Sequence, residues 1–143
     1  MPLRNDQDKM KLENNWQFKT LENLEKRSTE NPNYQSYLTK RCFELYKTPL
    51  NEFKTEDLRI MIGQQIGLDY LIPLAIDTLK KDLFAEGDYF EGDLLKNVLL
   101  VDTSFWDNNK KHWQILNDLI KNRRDEIKKV KFETINFDNS NNN

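Results

Sequence analysis

The sequence is short of the residues from which most catalytic and metal sites are built. One cysteine, Cys42, excludes an internal disulfide, and together with one histidine, His112, it falls below the four Cys or His ligands, or three plus water, that zinc requires. Four glycines, all between residues 63 and 92, and four prolines leave little material for glycine-rich phosphate loops. The longest nearly unbroken apolar run, YLIPLAI at 70–76, is far below the roughly 18–20 residues of a membrane span. MPLRNDQDKM has no apolar core of the secretory type, so the expected compartment is the cytoplasm, without membrane contact.

What is abundant is charge. Of 143 residues, 22 are basic and 24 acidic, for a net charge of −2, while 37% are hydrophobic. That mixture suits one modest core under a broad solvated surface. It opposes direct nucleic-acid binding, which needs a concentrated positive field. The balance is uneven, however: residues 1–66 sum to +1, 67–107 to −6 and 108–143 to +3.

Periodicity predicts an all-α, single-domain bundle of five or six helices. Residues 1–11 read as a polar extension, 12–131 as the helical domain, and 132–143 as an Asn-rich, partly disordered tail. Leu12, Trp16, Leu21 and Leu24 predict a helix over 12–27, ended by the linker STENPN. Tyr37, Leu38, Cys42 and Leu45 share a face of a second, over 34–47. In TEDL, Thr55 is placed to accept an N-terminal amide, with Glu56 and Asp57 at the positive end of the dipole. Leu58, Met61, Ile62 and Ile66 follow on one face, Gly63 allows close helix contact, and Gly67 ends the helix in a left-handed conformation.

Residues 69–83 predict a central helix whose apolar face of Leu71, Leu74, Ala75 and Leu79 is widened by Ile72, Ile76 and Leu83. Pro73 fits it only near the first turn or at a bend. FAEGDYFEGD reads as a surface loop, Asp93 to Val101 as another helix, and 108–129 as the last long one, with Trp113, Leu116, Ile120 and Ile127 on its stripe. In the tail, Phe132, Ile135 and Phe137 suit a short strand.

The candidate sites are chemically plain. His112, followed by Ile115, Leu116 and Leu119 at helical spacing, reads as a boundary histidine, and Cys42 in its apolar stripe as an inert thiol with a raised pKa. GQQIG lacks the P-loop Gly-Lys-Ser/Thr ending, and GDYFEGD lacks the ligand alternation of a calcium loop. KNRRDEIKK mixes signs as a solvated helix end does. Asp88 with Glu91 or Asp93 would serve as an acid/base pair only if burial raised a carboxyl pKa; otherwise these are solvated acids. No catalytic residue, metal ligand or cofactor is therefore assigned. The acidic middle, interleaved with Tyr70, Tyr89, Phe90, Phe105 and Trp106, suits protein recognition, in which rings anchor and acids steer a basic partner.

Residues 36–99 carry an ordered series of motifs: Arg41–Cys42, the Pro49-Leu50-x-Glu52-Phe53 turn, EDLR, IGQ-x-IGL, YLIPLA and GD-x-x-x-GDLL, with TLENLEK at 20–26 ahead of them. This series resembles the immunity proteins of bacterial contact-dependent growth inhibition systems. The resemblance implies a non-enzymatic cytoplasmic protein that binds and neutralises the cognate C-terminal toxin domain of a large secreted effector. A nuclease toxin has to attract a polyanion and would be basic, which an acidic face would match. The residues expected to contact the toxin are Asp77, Glu86, Asp88, Tyr89, Glu91 and Asp93. The other reading of the same surface is a helical adaptor or regulatory subunit of another cytosolic complex.

Overall fold

The structure is a computed structural model that describes residues 15–27, 36–130, 132 and 134–140. The 1–11 extension, the STENPN linker and residues 141–143 lie outside them. Among the described residues there are nine α-helices and no strand, so the protein is all-α. Five helices have seven residues or more and account for the five or six expected from periodicity. The chain divides into two compact units, Met1–Phe53 and Lys54–Asn143.

In the first unit, the expected 12–27 helix is replaced, over its described part, by a 3-10 turn at Trp16–Phe18 and a short α1 at Leu21–Glu25. Thr20 is the reason. Its backbone is extended and its side chain accepts the Asn23 N–H at 3.1 Å, so it starts a helix where the apolar spacing alone would continue one. Ser36 caps α2 (Tyr37–Tyr46) in the same way. Leu21, Leu45 and Leu50 are buried, whereas Tyr37 and Leu38, expected on the apolar stripe, are exposed. Tyr46 donates its hydroxyl to Glu25, and burial, followed by that carboxylate, pushes its pKa up to about 12. Lys47 pairs with Glu22 at 2.7 Å, and Leu50 N–H reaches the Lys19 carbonyl at 3.0 Å. Cys42 is half-buried, and desolvation raises its thiol pKa.

The second unit begins with α3 (Thr55–Gly63). Lys54, not Thr55, occupies the N-cap position, and its N–H is taken by the Asp57 carboxylate at 2.9 Å. The TEDL signal thus marks the start correctly, but the acid at the third helical position supplies the capping oxygen. The helix ends in a Schellman turn: Ile66 N–H reaches the Met61 carbonyl and Gln65 N–H the Ile62 carbonyl, each at 2.9 Å. Gln65 holds the left-handed position (φ 60°) that ends the helix, and Gly67 (φ 66°) instead opens α4 (Leu68–Lys81).

Helix α4 continues through Pro73, which sits in the second turn and gives no N–H to the Asp69 carbonyl. Leu71, Ile72, Ala75, Ile76 and Leu79 are buried, as is Leu83 beyond the helix, while Leu74 is half-buried. Helix α5 (Asp93–Leu99) buries Leu94, Leu95, Val98 and Leu99. Helix α3 packs on α4 and α5, and α4 packs also on α5 and on α7 (Lys110–Ile120). Gly63 explains part of the α3–α5 approach, since a Cβ there would lie 2.9 Å from Asn97 Oδ1.

The expected 108–129 helix is divided. After the short α6 (Thr103–Asp107), α7 stops at Ile120 and α8 runs from Arg124 to Lys129. The apolar stripe gives no sign of this break, because Trp113, Leu116, Ile120 and Ile127 are buried on both sides of it. The tail is not a strand. Residues Ile135–Asn139 form α9, which packs on α6. Phe137, fully buried, stacks on Trp113 (5.1 Å between centroids, 17°) and meets Trp106 edge-on (5.2 Å, 89°). Trp113 Nε1–H donates to the Phe137 carbonyl at 2.6 Å, and Arg124 clamps Asp138, with Nη2 at 2.9 Å from Oδ1.

Candidate functional site

The expected contact loop, 86–93, is built around two carboxylates that accept its own backbone N–H groups. Asp93, only 1% exposed, accepts three backbone N–H groups: Gly87 at 2.6 Å on Oδ1, and Tyr89 and Phe90 at 3.0 and 3.3 Å on Oδ2. Glu56, 32 residues away in sequence on α3, accepts the Asp88 N–H at 2.8 Å. Gly87 passes between the two acids, and a Cβ on it would lie 2.5 Å from Glu56 Oε1 and 3.0 Å from Asp93 Oδ2. Any side chain there would have to displace the Glu56 carboxylate from its place beside the loop.

Arg59, one turn after Glu56, balances the negative charge. Its Nε and Nη2 each lie 2.6 Å from a Glu56 oxygen, and Nε lies 3.8 Å from Asp93 Oδ2. This bidentate pairing, joined by the Asp88 N–H and opposed by partial burial, lowers the Glu56 pKa. The guanidinium also sits 4.3 Å from the Tyr89 ring centroid. Tyr89 therefore has one face supported by a paired cation, yet remains 72% exposed. Beside it, Phe90 is 42% exposed and rests on Phe132 (6.1 Å, tilted 55°), with Lys96 Nζ 5.5 Å from its centroid.

The six expected contact residues consequently separate. Glu86, Asp88, Tyr89 and Glu91 are exposed on one loop, Asp77 is exposed on α4, and Asp93 is turned inward as the loop's anchor. The acidic excess is also less concentrated than its sum suggests, because several acids serve local structure. Asp82 accepts the Phe84 N–H at 3.1 Å, and Asp93 accepts the Gly87 N–H at 2.6 Å. Glu56 and Arg59 escaped the sequence reading as site residues. The EDLR and GD-x-x-x-GDLL motifs contained the signal, but their pairing depends on the α3–α5 packing.

Chemically, the loop offers charge and rings on a braced backbone. Among the described residues, no group of three or more His, Cys, Asp or Glu side chains could hold a metal ion, and no helix is long and apolar enough to cross a membrane. His112 is half-buried on α7; burial lowers its pKa, and the Asp69 charge opposes that shift. The fold therefore favours the neutral imidazole more than the unfolded chain does. The unfolded chain takes up its proton near pH 6.5, so this contribution to stability is full above that pH and declines as pH falls towards the depressed folded value. His112→Gln is expected to flatten that part of the stability profile, as read by urea unfolding from about pH 7.5 to 5.

A family model described as CDI immunity proteins matches residues 23–116. The span contains both TEDLR and GDYFEGDLL and ends inside α7. No curated protein and no solved structure gives a significant match.

Proposed function

The chain belongs to the family of CDI immunity proteins, and from that premise we propose that it binds and neutralises a cognate toxin domain of a contact-dependent growth inhibition system, using the 86–91 loop as its contact face. The observation that carries this choice of face is Tyr89: a largely exposed ring braced from behind by Arg59, with exposed Glu86, Asp88 and Glu91 on the same loop. A ring held in place loses little entropy on binding, which is what an interface anchor requires. The acids add long-range attraction for a basic domain, such as a nuclease whose own substrate is a polyanion. The protein acts by occupancy, without turnover, in the cytoplasm of the cell it protects.

The test uses the cognate toxin domain. Tyr89→Ala is expected to weaken binding by about 2 kcal/mol, roughly 30-fold in Kd, with folding unchanged. The combined change Glu86→Gln, Asp88→Asn and Glu91→Gln should slow association at low salt and converge on the parent rate at high salt. Asp88→Asn leaves its backbone N–H on Glu56, so the loop keeps its shape. Parent-like kinetics in both variants would exclude this face.

A further inference from the structure

The loop's base is closed by a residue beyond the family match. Gly92 (φ 89°) starts α5 and donates its N–H to the Phe84 carbonyl at 3.0 Å. A Cβ on Gly92 would lie 3.0 Å from both Phe84 Cδ1 and Phe132 Cζ, so the two rings close on the glycine. The Phe132 ring also packs against Phe90, and Arg123 covers Phe84 with its guanidinium 5.1 Å from the centroid. Phe132 is itself held from both sides. Its N–H reaches the Ile127 carbonyl of α8 at 3.4 Å. After it, Thr134 Oγ1–H and Arg124 both bond to Asp138, and α9 is tied to Trp113.

We infer that Phe132 is a positioning residue for the 86–91 loop: wedged against Gly92 and Phe90, with Phe84 also closing on the glycine, it holds the loop in the shape that presents Tyr89, without belonging to the contact face. The inference rests on the reading of that loop as the docking surface. Asp93 and Glu56 grip the loop's amides from within, and Phe132 closes the side that they leave to ring packing. The C-terminal segment is thereby joined to a site assembled from residues 56–93.

Amide hydrogen exchange on the full-length chain separates the two claims. Phe132→Ala is expected to speed exchange at the Tyr89 and Phe90 amides by roughly tenfold, leave the interior amides of α7 unchanged, and weaken toxin binding by a similar factor. Phe132→Leu, which keeps an apolar wedge, should recover most of both. Unchanged exchange in Phe132→Ala overturns the inference, whatever the loop binds. Faster exchange with undiminished affinity, in a protein whose Tyr89→Ala variant does lose affinity, overturns the link to binding. If Tyr89→Ala itself leaves affinity intact, the docking reading fails and takes that link with it, while the exchange rates still decide whether Phe132 holds the loop.

Discussion

Asp93→Ala is expected to destabilise the protein by about 3–5 kcal/mol and to lower Tm by roughly 10 °C. The carboxylate is buried and accepts three backbone N–H groups, which lose that acceptor in the alanine variant. Arg59 would keep Glu56 but lose the second anion near its Nε. Asp93→Asn is the sharper comparison. Its volume is nearly unchanged, but one oxygen becomes an NH2 group that faces a backbone donor, either Gly87 N–H or the Tyr89 and Phe90 pair. A loss of about 2 kcal/mol is expected, between alanine and the parent. Thermal unfolding of both variants checks the order, and an asparagine variant as stable as the parent would remove Asp93 from the role of anchor.

Phe137→Ala is expected to have a comparable effect, about 3–5 kcal/mol. Phe137 fills the space between two tryptophans, stacked on one and edge-on to the other. Trp106 Nε1 is buried with no hydrogen-bond partner among the described residues, so this tryptophan depends on ring packing for its place. Removing Phe137 leaves a cavity that two large rigid rings fill poorly. Phe137→Leu should cost less than alanine because it retains much of the apolar volume. Intrinsic tryptophan fluorescence would report the change directly, through a red-shifted emission in the folded state of the alanine variant. An unshifted spectrum with parent-like stability would show that α9 contributes nothing to the core.

The two variants mark where the sequence was legible and where it was not. Helices α2 to α5 could be read because their signals are local: buried residues at helical spacing in α4 and α5, and Glu56 and Asp57 at the start of α3. Even Gly63 and the conformation of Gly67 could be inferred from nearest neighbours. Asp93 could not be placed, because GDYFEGD contains the same acids whether they face water or amides, and its orientation depends on α3 lying alongside α5. The 12–27 helix was overextended for a different reason, since the capping preference of Thr20 overrides the apolar repeat around it. In the tail, the alternation of Phe132, Ile135 and Phe137 suits a strand, but the cleft between Trp106 and Trp113 accepts Phe137 from a helix. That cleft is formed by residues more than twenty positions earlier.

The grips of Glu56 and Asp93 have a consequence for the docking face proposed above. Both acids hold main-chain N–H groups at 87–90, and every amino acid except proline supplies that group. The loop therefore keeps most of its bracing when the outward side chains at 88, 89 and 91 are replaced, and loses mainly the support that Arg59 gives Tyr89. Specificity can diverge by exchanging a few projecting groups, with no new backbone to invent. On that proposed face, a change in the cognate toxin is met by re-keying the lock while its frame stays standing.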